Sequence, residues 1–144
     1  MYNPSIQLTP VKVIAQKGKE ASDSVDAVHS LTSSYQNKVE YPKTAFAKDL
    51  QLVSKLLAGG SGTRVFYVQL GGFDDHAQEK AVHAKLLKDL DMALVSFYED
   101  LMAQGLHDRV VTMAFSEFGR RVKENGSGGT DHAPRRRFWC LEDG

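Results

Sequence analysis

Two apolar runs, one on each side of a long helical pattern, constrain the fold of this chain more than any other feature. Residues 64–70 and 110–115 are rich in β-forming side chains that are nearly continuous instead of alternating with polar ones. Such runs are typical of strands buried on both faces of a parallel sheet. Between them, leucines and aromatic residues recur every three or four positions over residues 78–104, which predicts a helix about 40 Å long. We therefore expect an α/β fold containing a right-handed βαβ unit with parallel strands.

Two further helices are predicted before this unit. Residues 44–58 carry an apolar stripe, with Thr44 as the N-cap and a glycine pair at the C-terminal end. Residues 21–38 place apolar side chains three or four apart, although serine and threonine crowd the segment. The last residues, 134–144, match neither a helix nor a strand pattern.

Composition excludes several classes of protein. The 144 residues are 42% hydrophobic and 25% charged, which is typical of a folded domain and not of a disordered chain. Eighteen basic residues balance eighteen acidic ones, so we expect no nucleic-acid partner. No apolar stretch approaches the roughly 20 residues that span a bilayer, so we expect no membrane span. A single cysteine, Cys140, excludes an internal disulfide and a cysteine zinc cluster.

Charged side chains and histidines follow the end of each predicted strand. Asp74 and His76 come just after the first strand and lie two residues apart, so on extended backbone they point the same way. A carboxylate and an imidazole on one face form half of a site for a divalent metal ion. The same residues also fit a second interpretation, in which Asp74 or Asp75 caps the following helix and His76 packs nearby.

Two more polar groups follow the second strand. Glu117 can ligate a metal, orient a ligand or act as a base, and Arg120 can hold a phosphate-like or sulfate-like anion. From the residues alone, a surface ion pair between Glu117 and Arg120 is the favoured interpretation. Asp131 and His132 follow a glycine-rich loop, and an ordinary polar turn would also explain them. Ligands bind outside the carboxyl ends of the strands of an open parallel sheet, so we expect these groups to meet at one edge.

Three of these segments resemble the domain of unknown function 1501 family. Residues 71–76 read Gly-Gly-Phe-Asp-Asp-His, where the family typically has Gly-Gly-Phe/Trp-Asp-Thr-His, so Asp75 replaces a preferred threonine. The resemblance continues through the long helix to Ser-Glu-Phe-Gly-Arg at residues 116–120 and closes on Gly-Thr-Asp-His at residues 129–132. Spacing and order agree from about residue 40 to residue 132.

The family is similar to the alkaline phosphatase and sulfatase superfamily, which implies a large α/β/α sandwich with a metal site at the carboxyl edge of the sheet. By motif match, the resemblance implies that Asp74, His76, Asp131 and His132 are metal ligands. Glu117 and Arg120 would then have supporting or anion-binding roles. Zinc, manganese, calcium and magnesium are not distinguished. Family members are mostly bacterial and often look exported through a twin-arginine signal, which this chain does not show.

Two departures from the family suggest that the chain is a piece of a longer protein. Family members are much longer, and the segment that would supply the superfamily's Ser or Thr nucleophile has no counterpart here. The family usually continues Gly-Thr-Ala-Ala-Pro after the Asp-His pair, whereas this chain continues Ala-Pro-Arg-Arg-Arg from residue 133. We hypothesise a frameshift near codon 133, because the loss of one base from GC-rich codons for the family sequence would give this change. We therefore expect residues 1–132 to be a section of one α/β domain and residues 133–144 to be a divergent, frameshifted tail.

Two functional hypotheses follow. In the first, the parent protein is a metal-dependent hydrolase of small phosphate or sulfate esters. In the second, it is a non-catalytic metal-binding or anion-binding domain of a larger exported or surface assembly. Either way, the remainder of the parent polypeptide is the expected partner, and we expect these 144 residues alone to have little or no activity.

Overall fold

The structure is a computed structural model that describes residues 10–133 and 138–141 and is mixed α and β. The helices of this part of the chain are α1 (Pro10–Ser33), α2 (Ala45–Ala58) and α3 (Glu79–Gln104), followed by a 3₁₀ turn (His107–Arg109). The strands are β1 (Thr112–Phe115), β2 (Gly119–Glu124), β3 (Thr130–Ala133) and β4 (Phe138–Leu141). They form two antiparallel pairs, β1 with β4 and β2 with β3.

Local sequence signals explain where α2 and α3 begin and end. The Thr44 side chain accepts a hydrogen bond from the Ala47 amide, which satisfies one of the free donors at the start of α2. Gly105 ends α3 in the left-handed conformation, with φ of 69°, and its amide reaches back to the last turn. The helices predicted over residues 44–58 and 78–104 are thus confirmed to within a residue or so.

The helix predicted over residues 21–38 is wrong at both ends, because α1 begins at Pro10 and ends at Ser33. Proline is tolerated in the first turn, where its missing N–H has no intrahelical partner to lose. The hydroxyl groups of Ser24 and Thr32 donate to carbonyls one turn earlier in the helix, so these residues continue it instead of breaking it.

The hydrophobic core lies mainly between α2 and α3. Phe97 and Leu101 on α3 pack against the apolar stripe of α2, and partly buried side chains from residues 68–70 and 106–110 cover the same cluster. The buried apolar residues are Tyr41, Phe46, Ala47, Leu50, Ala93, Phe97 and Leu101. None of the helices in the described residues is long and apolar enough to cross a membrane.

The strand predicted over residues 64–70 is not formed in the described part of the chain. Phe66, Val68 and Leu70 are partly buried, whereas Val65 and Tyr67 remain 83% and 73% exposed. The expectation of burial on both faces is therefore wrong, because no strand of the described residues pairs with this segment and only one of its sides covers the helical core. Of the strand predicted over residues 110–115, the last four residues form β1, and β1 pairs antiparallel with β4. The parallel βαβ unit is accordingly corrected, and the α/β/α sandwich is not confirmed.

A buried carboxylate sits within the helical core. Asp100 on α3 is fully buried and accepts five hydrogen bonds, of 2.6 to 3.3 Å, that come from α2 and from the segment that joins α1 to α2. The donors are the side chains of Tyr35, Asn37, Tyr41 and Ser54 and the backbone amide of Lys38. Asp100 therefore joins the connecting segment and α2 to α3 through hydrogen bonds as well as apolar contacts.

The hydrogen bonds decide the charge state of this carboxylate. Burial by itself raises the pKa of Asp100, but hydrogen bonds led by those from Ser54, Asn37 and Tyr35 outweigh it and leave the pKa below its ordinary value. Burial, followed by the negative charge of Asp100, raises the pKa of Tyr41 far above its ordinary value. Asp100 is therefore ionised and its phenol donor stays neutral at neutral pH.

Candidate metal centre

Three of the four predicted metal ligands meet at one place. Asp74 and His76 lie between residue 70 and α3, and His132 lies on β3, yet one ligand atom from each lies within 4.8 Å of the others. The Asp74 Oδ1 atom is 3.0 Å from His132 Nε2 and 3.4 Å from His76 Nε2. In a tetrahedral site with bonds of roughly 2.0–2.1 Å, ligand atoms lie about 3.3 Å apart. The spacing and the donor types therefore fit a small divalent ion. Because all three side chains are exposed, a fourth coordination position would be open to solvent.

Arg120 fixes the backbone on both sides of Asp74. Its Nη2 atom donates to the carbonyl oxygens of Phe73 and Asp75, each at 2.6 Å. Only the planar fork of an arginine can serve such a set of acceptors together, because its donors are held in fixed directions. The loop that carries Asp74 is thus held against β2.

The other half of the same guanidinium joins α3 to β3. Nη1 donates to Glu79 at 2.7 Å and to the Thr130 carbonyl, while Glu79 accepts from the amide and hydroxyl of Thr130, both at 2.8 Å. Burial tends to raise the pKa of Glu79, but the Thr130 hydrogen bonds and the Arg120 charge together leave that pKa below its ordinary value. An ionised Glu79 therefore holds the start of β3, two residues before His132.

Asn125 connects the two halves of the site. Its side-chain amide donates to the His76 carbonyl at 3.0 Å and to Asp131 Oδ1 at 3.3 Å. Its side-chain oxygen accepts from the amides of Ser127 and Gly129, which shapes the turn between β2 and β3. One residue thus sets the turn and holds it against the loop that carries His76.

Gly129 allows these two segments to approach closely. A Cβ atom at this position would lie 2.4 Å from the His76 carbonyl oxygen and 3.0 Å from the Ala77 nitrogen, which are both backbone atoms. No side chain fits there unless the backbone moves. The approach is completed by the Gln78 amide, which donates to the Ser127 carbonyl at 3.1 Å.

Aromatic contacts fix the orientation of the imidazoles. The ring of Phe118 stacks on His132 with centroids 3.9 Å apart and an interplanar angle of 23°. The rings of His76 and His132 lie 4.7 Å apart. The guanidinium of Arg120 lies over the Phe118 ring, 5.5 Å from its centroid. The two Nε2 atoms therefore face Asp74 without support from deep burial.

The remaining predicted site residues have different positions. Asp131 is not part of the three-atom group, and its Oδ1 atom lies 3.7 Å from Nδ1 of His76, the ring nitrogen that faces away from Asp74. Glu117 is exposed and is also outside the group formed by the described residues. Arg120 contacts backbone carbonyls and Glu79, so its Nη atoms are engaged within the protein.

Sequence reasoning missed the residues that hold the site together. Glu79 lies in the first turn of α3 and reads there as an ordinary helix-start acid. Phe118 looks like one more apolar residue. The asparagine-glycine composition of residues 125–129 was the available signal, since it is typical of a hairpin turn between two strands.

Comparison with known proteins gives one result. A family model described as protein of unknown function (DUF1501) matches residues 8–141. No curated protein and no solved structure matches the chain. The match includes the loop that carries Asp74 and His76, Arg120 on β2 and the strand that carries His132. Because it covers nearly the whole chain, the chain belongs to the DUF1501 family.

Proposed function

We propose that this chain binds one divalent transition-metal ion through Asp74, His76 and His132, and that its parent protein hydrolyses phosphate or sulfate esters. The observation that carries the metal site is the convergence of three ligand atoms from two distant segments within 4.8 Å. Two imidazoles and one carboxylate suit zinc or a similar transition metal better than magnesium or calcium, which prefer oxygen ligands. The resemblance to the alkaline phosphatase and sulfatase superfamily supports the ester chemistry and a larger α/β/α sandwich.

Each residue has a distinct part in this proposal. Asp74 and the Nε2 atoms of both histidines hold the ion, and a bound cation of this kind polarises a phosphoryl or sulfuryl oxygen. Asp131 faces Nδ1 of His76 and, in this proposal, orients that ring instead of binding the ion. Arg120 keeps the Asp74 loop in place.

One observation favours a non-catalytic metal-binding domain as the second candidate. An esterase acting on anions needs a positive group directed at the substrate, and the guanidinium of Arg120 is already engaged with Glu79 and three carbonyls. In this alternative the ion stabilises the protein or a larger assembly, without turnover.

Metal titration of the full 144-residue chain tests the site. Calorimetry with zinc, and cobalt absorption as an optical readout, should give one equivalent of metal, and Asp74→Ala and His132→Ala should each weaken binding at least a hundredfold. The matched control is His107→Ala, because His107 also lies beside a carboxylate, 3.1 Å from Asp108, but belongs to no three-ligand group among the described residues. Binding that is not saturable, or that survives in both ligand variants, would refute the metal site.

The role of Asp131 and the ester chemistry need separate measurements. Asp131→Asn keeps an oxygen that can accept from His76, so metal affinity should fall by no more than about tenfold, whereas Asp131→Ala should lower it by roughly 10–100-fold. A loss in Asp131→Asn as large as in Asp74→Ala would identify Asp131 as a ligand. Hydrolysis of aryl phosphates and aryl sulfates is assayed on the chain and on the longer reading frame obtained from its flanking genomic sequence. Stoichiometric metal without turnover in the longer protein favours the second candidate.

A further inference from the structure

The first helix has an apolar face that nothing in the described structure covers. None of the 24 residues of α1 is buried, and Val11, Ile14 and Val25 are 75%, 72% and 66% exposed. Contact with the rest of the protein is made at the C-terminal end, where a Cβ on Gly59 would lie 2.8 Å from the Leu31 carbonyl oxygen. A long apolar face on a helix is normally buried against another element.

The sizes of the side chains on this face are symmetric about the middle of the helix. Val11, Ile14, Gly18, Ala21, Val25 and Val28 follow one another at intervals of three or four, so they lie along one side of the helix. Val11 and Val28, Ile14 and Val25, and Gly18 and Ala21 are each equidistant from the midpoint between Lys19 and Glu20. Two antiparallel copies would therefore place large residues opposite large ones, and small residues where the helix axes cross most closely.

The charges of α1 have the matching asymmetry. Before the midpoint the helix carries Lys12, Lys17 and Lys19 and no acidic residue, and after it come Glu20, Asp23 and Asp26 and no lysine or arginine. This arrangement opposes the helix dipole, which favours acidic residues in the first turn and basic residues in the last, and α1 has neither. An antiparallel neighbour with the same sequence brings each half beside the half of opposite sign, whereas a parallel neighbour brings like charges together.

We propose that α1 is a self-association surface that pairs antiparallel with α1 of a second copy of this chain. The interface is isologous, because each contact from one copy to the other occurs twice about a two-fold axis. It involves neither the candidate metal centre nor the core around Asp100.

Sedimentation velocity and light scattering on the full chain test the association. A monomer–dimer equilibrium is expected, and Val25→Asp should weaken it at least tenfold, since a charge is placed in each copy's apolar face. Val122→Asp is the matched control, because Val122 is fully exposed on β2, away from α1, and its replacement should leave association unchanged. Neither variant removes a buried side chain, and far-UV circular dichroism verifies that each one folds. A wild-type chain that stays monomeric into the millimolar range, or a Val25→Asp variant that dimerises as the wild type does, overturns the proposal.

Disulfide trapping tests the orientation. In a Cys140→Ser background, mixing Ile14→Cys with Val25→Cys should give a 14-to-25 cross-link, while each variant alone should cross-link poorly. Dominant 14-to-14 and 25-to-25 products would show a parallel arrangement and overturn the inference. Added salt should weaken the association, because it screens the opposite charges of the two halves.

Discussion

Replacing Asp100 with alanine is expected to be among the most damaging single substitutions in this protein. The hydroxyl groups of Tyr41 and Ser54 donate to Asp100 in buried surroundings, at 3.1 and 2.6 Å, and each would lose its acceptor. A buried donor without a partner costs about 1–3 kcal/mol. The donors on Tyr35 and Asn37 lie nearer the surface, where water can replace the carboxylate. The expected loss is therefore about 3–5 kcal/mol of the free energy of unfolding.

Urea and thermal denaturation measure this loss directly. A domain of this size unfolds with a total free energy of about 5–15 kcal/mol, and a loss of 3–5 kcal/mol lowers the Tm by roughly 10–15 °C. Asp91→Ala is the control, because Asp91 is an exposed aspartate on the same helix and its replacement should change stability by less than about 0.5 kcal/mol. Asp100→Ala should also cost less in a Tyr41→Phe background, since one of the unpaired donors is then already gone. A loss below about 1 kcal/mol would refute this account of the network.

Three further outcomes are expected. Because the pKa of Asp100 is lowered on folding, the stability that its carboxylate contributes is complete above about pH 4 and declines as the pH falls through the folded pKa. The difference in unfolding free energy between wild type and Asp100→Ala should therefore shrink in acid. A constant difference in urea unfolding at several pH values would contradict this. Gly129→Ala should lower the free energy of unfolding by about 2 kcal/mol more than Gly126→Ala in the same turn, because only the first substitution places a Cβ against a backbone carbonyl. Equal destabilisation of the two variants in thermal unfolding would refute that explanation. Arg120→Lys should weaken zinc binding about tenfold in calorimetry, because a lysine cannot donate to all the acceptors that Arg120 serves. Arg121→Lys, at an exposed position, should leave the affinity unchanged. Identical zinc affinities for the two variants would disprove the role of Arg120 in holding the Asp74 loop.

The parts of the fold that could be predicted are those with strong local signals. Thr44 and Gly105 mark helix ends through backbone chemistry that acts over a few residues, and α2 and α3 begin and end close to the predicted positions. The strand pairings could not be predicted in the same way. Val65 and Tyr67 belong to an apolar run that is typical of a buried strand, but burial depends on a neighbouring strand that a local pattern cannot supply.

The candidate site, like the fold, could be predicted only in part. Asp74, His76 and His132 could be selected because their motifs resemble those of the family, which implies that they bind metal, and the structure brings their side-chain ligand atoms together. The means by which they meet could not be predicted, since Arg120 and Asn125 each connect positions far apart in the chain. The resemblance implied a supporting or anion-binding role for Arg120, whereas its side chain links backbone segments and pairs with Glu79.

The contacts of Arg120 have a consequence for local unfolding. Those with Phe73, Asp75 and Glu79 join residues 41 to 47 positions apart, and closing a loop of that length costs on the order of 3–4 kcal/mol in chain entropy. Polar contacts hold the β2–β3 hairpin to residues 73–79, and most of β2 is exposed. The hairpin should therefore open as a unit while α2 and α3 stay folded, so that amides of residues 119–133 exchange with solvent faster than those flanking Asp100. Zinc should selectively slow exchange in that segment, and equal exchange throughout the chain would show that hairpin and helices unfold only together.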